Sequence, residues 1–145
     1  MKVKEILKQK GSEIHSVESD KTVYQAIKQM SDLNIGALLV IDDGKLTGIL
    51  SERDYRDKVI LKGRQSKTTN VGEIMTRQVF CVTLQDDVKV CMKIMTVKRI
   101  RHLPVLDGDD LVGVISIGDV VKSVIDRQKF EIDSLKSYIA GNYPQ

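Results

Sequence analysis

The chain is written twice. Residues 23–54 lie on residues 88–119 at a constant offset of 65 without a gap, and eleven of the 32 aligned positions are identical. The identities run from Val23/Val88, Lys28/Lys93 and Met30/Met95 through Ile35/Ile100, Leu38/Leu103 and Val40/Val105. They continue through Asp42/Asp107, Leu46/Leu111 and Gly48/Gly113 to Ser51/Ser116 and Asp54/Asp119. That many ungapped coincidences mark a duplicated supersecondary unit. A chain of 145 residues has room for one compact body or for two halves sharing a core. The second reading follows, because neither copy could bury its apolar face alone, and function is then expected in the cleft between the copies.

From Thr22 onward, Val23, Ala26, Ile27, Met30 and Leu33 recur at spacings of three and four, which predicts an amphipathic helix ending near Asn34-Ile35-Gly36, with Gly36 fitting the stop. Residues 37–41 form a short apolar run, residues 42–45 a turn and residues 46–50 a second run, the pattern of a hairpin. Residues 51–61 return to helical spacing. The second copy repeats the order, with a helix over 87–99, strands over 103–106 and 111–115, and a helix over 116–127. Extended pieces at 15–18 and 80–83 supply a leading strand to each copy. Residues 62–70 are polar and read as a linker, residues 71–76 as a short helical lead-in. Residues 130–140 are spaced like a helix with one apolar face, too short to stand alone in water. The expected domains are a first motif with its N-terminal lead-in over 1–65, a second motif over 66–128 and a helical tail over 129–145.

An apolar share of 41%, six aromatic residues and no Trp require an aliphatic core. A net charge of +3 is too mild to call for nucleic acid. No run of eighteen apolar residues occurs, and the first residues lack the apolar stretch of a secretory signal, so a cytoplasmic protein without membrane contact is expected. Cys81 and Cys91 align with the small residues Ser16 and Ala26 and have no CxxC or His-spaced companions. They read as buried free thiols rather than a disulfide or a metal pair. Met30, Met75, Met92 and Met95 read as adaptable core.

The chemistry concentrates where each copy ends its second strand. Gly48-Ile49-Leu50-Ser51-Glu52-Arg53-Asp54 and Gly113-Val114-Ile115-Ser116-Ile117-Gly118-Asp119 share a glycine, a serine and an aspartate in register. Serine followed three residues later by an acid at a helix start is a capping-box pattern, serine accepting an orphan N–H and the acid reaching back. A helix start also leaves amide donors facing outward, where a phosphate can be held, and an aspartate there can accept two hydrogen bonds from a ribose diol. From the residues alone both roles stand open.

These endings, the order of elements, the hairpin, the EIMT lead-in at 73–76 and RHLPV at 101–105 resemble a pair of CBS domains, the tandem arrangement called a Bateman module. The resemblance implies an α/β (α+β) fold of two β-α-β-β-α motifs packed through their sheets around a pseudo-twofold axis. It also implies a regulatory unit that binds adenosyl compounds such as AMP, ADP, ATP, NAD(H) or S-adenosylmethionine. Carried over by residue, Asp54 and Asp119 would hold ribose hydroxyls, and Ser51 and Ser116 would contact phosphate or cap the helices beside it. Arg53 and Gly118, just before each aspartate, stand where the family often contacts phosphate. Arg101, His102, Leu103 and Pro104 open the first hairpin strand of copy two, with basic side chains on phosphate; in copy one Gly36 and Ala37 stand at the places of Arg101 and His102. The two sites are therefore expected to be unequal.

No nucleophile with a paired base, no GxxxxGK[ST] loop and no metal cluster is found in the sequence, so no catalytic residue, catalytic cofactor or metal is expected. The function implied is a stand-alone sensor of an adenine nucleotide, AMP, ATP or NAD, working as a homodimer on a target protein that the sequence does not name. The alternative is a protein-interaction or nucleic-acid-binding CBS module; the chain has no recognition motif and few aromatics to stack on bases, so nucleic acid is not an expected partner.

Overall fold

The computed structural model describes residues 1–141, which form six helices and two three-stranded sheets, a mixed α+β architecture. In chain order these are α1 (Val3–Lys10), β1 (Ser16–Val17), α2 (Val23–Leu33), β2 (Ala37–Asp42), β3 (Lys45–Ser51) and α3 (Glu52–Lys58) with a short 3-10 turn after it (Ile60–Lys62). Then follow α4 (Val71–Ile74), β4 (Val82–Thr83), α5 (Val88–Lys98), β5 (His102–Asp107), β6 (Asp110–Ser116) and α6 (Ile117–Ile139). Each sheet places its hairpin beside a two-residue parallel strand, in the order β1-β2-β3 or β4-β5-β6.

Contacts group the chain into two compact units, Glu13–Cys81 and a second made of Met1–Ser12 with Val82–Gln145. The division differs from the repeat boundary because the lead-ins are exchanged: α1 belongs with the second copy and α4 with the first. The two lead-ins dock alike. Val3 N donates to the Asp86 carbonyl at 2.9 Å and Val71 N to that of Lys21 at 2.8 Å; Lys4 N reaches Leu84 at 3.1 Å and Gly72 N reaches Ser19 at 2.9 Å. In return Val88 N donates to Met1 and Val23 N to Thr69. Burial follows the same correspondence, with Val3, Ile6 and Leu7 in one unit matched by Val71, Ile74 and Met75 in the other.

The cores are aliphatic and equivalent. Val17, Val23, Ala26, Met30, Leu38, Val40 and Leu50 are buried in the first unit, and Val82, Val88, Cys91, Met95, Leu103, Val105 and Ile115 at the same places in the second. Met92 differs from its sequence reading: it is 44% exposed, on the outer face of α5. Cys91 is buried and Cys81 only half-buried; both are free thiols.

Local chemistry explains the boundaries. α2 opens on a capping box from Thr22 and Gln25, and it stops at Asn34 rather than Gly36, because Asn34 takes the left-handed conformation (φ 53°) and closes the last carbonyls. The hairpin of the first unit turns on Asp43-Gly44, both at positive φ, as a two-residue connection requires. Between Arg127 and Ile139 the sequence has no glycine or proline, so the expected tail of residues 129–145, whose last four lie outside the described residues, continues one 23-residue helix, α6, rather than forming a separate element.

One substitution changes the sheet. In the first unit Leu39 N donates to the His15 carbonyl at 3.3 Å, and pairing with β1 begins at Ser16. Pro104 stands at Leu39's place and has no N–H, so pairing with β4 begins one residue later, at Val82 opposite Val105. A proline is tolerated inside this central strand because its neighbour is too short to need the missing bond.

Candidate functional site

The predicted site residues gather into one cluster in each unit. In the first, Ala37 pairs with Ser51 across β2 and β3, and Glu52 N donates to the Gly36 carbonyl at 3.1 Å, so Gly36 and Ala37 lie beside the start of α3. In the second, His102 pairs with Ser116 and Ile117 N donates to the Arg101 carbonyl at 2.8 Å, which sets Arg101 and His102 beside the start of α6. Arg53, Arg101 and Gly118 are exposed; His102, Ser51 and Ser116 are half-buried. Leu103 is fully buried and Pro104 is buried too, so both are core and could meet a ligand only through their backbone.

Both serine–aspartate pairs form capping boxes. Ser51 Oγ accepts from Asp54 N at 3.3 Å while Ser51 N donates to Asp54 Oδ2 at 3.0 Å. Ser116 Oγ accepts from Asp119 N at 3.2 Å, and Ser116 N donates to Asp119 Oδ2 at 2.8 Å. Capping is thus what these residues do in the structure, as a bond worth about 1 kcal/mol each.

The two carboxylates differ in what else holds them. Asp54 is spent: its Oδ2 also accepts from the Ser51 hydroxyl at 3.2 Å, and its Oδ1 accepts from the Thr76 hydroxyl at 3.1 Å and pairs with Lys58 Nζ at 2.9 Å. Its side chain is 9% exposed. Asp119 is 23% exposed, and its Oδ2 takes the Lys10 ammonium at 2.6 Å. Burial works against its charge, but the hydrogen bond from Lys10 and the Ser116 N–H outweigh it and hold the carboxyl below the usual range. Lys10 Nζ also donates to the Val114 carbonyl at 2.7 Å. In the first unit the corresponding β3 edge is satisfied by backbone instead, with Ile49 and Thr76 exchanging bonds of 2.9 Å.

Lys10, Lys58 and Thr76 are not among the candidate site residues that the sequence suggests. Lys58 was within reach of that reading, four residues after Asp54 on a helix. Lys10 lies 109 residues from Asp119, and nothing local announces it.

A cavity of about 320 Å³ opens elsewhere in the first unit, lined by Ser16, Val17, Glu18, Lys21, Gln25 and Gln29. It sits along β1, at the sheet edge opposite the strand that carries Ser51, and Gln29 narrows it by donating to the Ser16 carbonyl at 3.1 Å. With one lysine and one glutamate in its wall it offers no net charge to an anion, so the strand-end clusters carry the stronger chemistry. Among the described residues no cluster of His, Cys, Asp and Glu could hold a metal ion.

The CBS domain profile matches residues 3–60 and 71–126. The chain belongs to the CBS-domain family. The mitochondrial CBS domain-containing protein CBSX3 of Arabidopsis thaliana is 41% identical over 150 residues, spanning 97% of this chain and 73% of that protein. A structure of a protein with CBS domains from Burkholderia ambifaria MC40-6 superposes with a TM-score of 0.86 at 51% identity, covering 88% of this chain and 96% of the other. The CBS domain pair of protein MJ0100, solved with 5′-methylthioadenosine and S-adenosyl-L-methionine, superposes at 0.77 with 26% identity, covering 88% and 98%. The two matched stretches make the chain a CBS pair, and in the described residues no helix is long and apolar enough to cross a membrane.

Proposed function

We propose that this CBS pair is a stand-alone regulatory module that senses an adenine nucleotide, AMP, ATP or NAD, in the cytoplasm, performs no catalysis of its own, and works as a homodimer on a target protein. The observation that carries the reading is the second unit's cluster. A 23-residue helix capped by Ser116 begins there, Gly118 is open enough that an added Cβ would meet only Ser116 Oγ at 3.6 Å, and Arg101 and His102 stand alongside. Amide donors and a guanidinium suit a phosphate; Asp119 suits the ribose diol. The first unit, with Gly36, Ala37, Ser51, Arg53 and a saturated Asp54, is the weaker counterpart.

Sensing follows from the same geometry. A diol that takes Asp119 Oδ2 competes with Lys10, whose ammonium ties the end of α1 to both Asp119 and Val114. Ligand occupancy is thereby linked to the hold on α1, a change in shape that a partner can read. Titration calorimetry of AMP, ADP, ATP, NAD, NADH and S-adenosylmethionine into the purified chain tests the reading. A ligand at 100 times its dissociation constant adds about 2.7 kcal/mol to unfolding; no heat and no melting shift with any of them at millimolar concentration would refute it.

A further inference from the structure

From Ile125 to its end α6 has no buried residue, and its last four turns carry an apolar seam that nothing in the described chain covers. Val121, Ile125, Ile132, Leu135 and Ile139 are 49%, 55%, 54%, 60% and 77% exposed. With Gln128 they follow spacings of four, three, four, three and four, the a/d repeat of a two-stranded coiled coil. Isoleucine occupies the three a positions (125, 132 and 139), and Leu135 is at d, the combination that favours two strands over three or four in a parallel coiled coil.

Charge selects the orientation. Lys122, Lys129 and Lys136 fill the e positions flanking the seam, and Glu131 stands at g. In an antiparallel pair the e columns would face each other, lysine against lysine. In a parallel pair g faces the next e of the other helix, which sets Glu131 against Lys136 twice by symmetry. Gln128, at d, is the one polar member of the seam, and in a parallel, in-register pair it meets its own copy.

The geometry points to a parallel two-stranded coiled coil of α6 with α6 of a second copy of this chain. This rests on the homodimer of the previous section and says which surface makes it. The test uses the intact chain. Light scattering at about 100 micromolar is expected to give twice the 16.3 kDa chain mass, and a monomer would overturn the homodimer and the seam together. Ile132→Asp combined with Leu135→Asp, both on exposed surface and checked for an unchanged melting profile of the body, is expected to weaken the dimer more than a hundredfold. A dimer that ignores these changes would overturn the seam while leaving the homodimer.

Orientation is read separately, in a Cys81→Ser background. Ile139→Cys is expected to crosslink its own copy on mild oxidation, as a position facing itself must; failure to crosslink in a chain that still dimerises would overturn the parallel arrangement. Lys136→Glu should weaken the pair roughly fivefold, and adding Glu131→Lys should restore it, since exposed ion pairs are worth a few tenths to one kcal/mol. No restoration would overturn the charge assignment.

Discussion

The two units share a backbone plan, a core and the docking of their lead-ins, yet they hold the far ends of those lead-ins by different means, and the difference reaches the serine–aspartate pair in each. In the first unit the lead-in leaves the helical state after α4 and lays Thr76 along β3, backbone to backbone, with the Thr76 hydroxyl on Asp54. In the second, α1 stays helical through Lys10 and a flexible ammonium takes over both tasks, satisfying Val114 and Asp119. A backbone clamp is rigid and saturates its carboxylate. A lysine clamp can be exchanged for another donor, which is what a ligand-responsive site requires. Duplication supplied one fold twice, and divergence in the lead-ins left the first copy with a fully bonded carboxylate and the second with one held by a single lysine side chain.

The comparison can be broken first at the glycines under the lead-ins. A Cβ on Gly48 would lie 2.7 Å from Met75 Sδ and 3.0 Å from the Thr76 carbonyl oxygen; on Gly113 it would meet only the Leu7 side chain, at 2.9 and 3.0 Å. Leucine methyls can rotate away and a paired carbonyl cannot. Gly48→Ala is therefore expected to cost about 2–3 kcal/mol in urea unfolding and Gly113→Ala about 1 kcal/mol, within the overpacking range. Equal losses would show that the two clamps are equally stiff.

Lys10→Met comes next, with an expected loss of about 1 kcal/mol, since the pair is partly exposed. Its pH signature is more specific. Asp119 titrates below its ordinary value in the fold, so its contribution is complete above the unfolded carboxylate pKa, about 4, and disappears as pH falls through the lowered value. The variant should lose part of that acid-side slope, the Ser116 N–H still holding the carboxylate, and a slope identical to that of the parent would mean Lys10 does not hold Asp119 in solution. Lys58→Met should cost less, because Ser51 and Thr76 still serve Asp54.

The smallest expected effect is chemical rather than energetic. Burial pushes the Cys91 thiol up to about 11, while Cys81 is half-buried. A thiol reagent at pH 8 should modify Cys81 first and leave Cys91 until the chain opens, and the reverse order would contradict the placement of α5. Above pH 9 the neutral Cys91 should begin to cost stability, lost as the pH climbs towards its raised value.

Much of this was legible in the sequence because it is local or repeated. The offset of 65 residues located both hairpins, Asp43-Gly44 announced its turn, and Ser51–Asp54 with Ser116–Asp119 announced two helix starts. What stayed hidden is long-range. The exchange of α1 and α4 rests on contacts such as Val3 to Asp86, across more than half the chain, and no periodicity encodes them. Lys10 reads locally as one more lysine on a charged helix; only the docking of α1 brings it to Asp119. The end of α2 falls where residues 34–36 announce it, but Asn34 rather than Gly36 takes the left-handed conformation that closes it.

Calorimetric titration of AMP and adenosine into the intact chain, Asp119→Ala and Asp54→Ala tests the division of labour most directly. AMP is expected to bind the parent chain, to lose roughly 1.5–3 kcal/mol of affinity in Asp119→Ala, the range for hydrogen bonds to a charged group, and to keep its affinity in Asp54→Ala, where the damage falls on melting temperature instead. Arg101→Ala should weaken AMP far more than adenosine, since only AMP carries the phosphate. AMP affinity unchanged in Asp119→Ala, or lost only in Asp54→Ala, would contradict the assignment of the responsive site to the second unit.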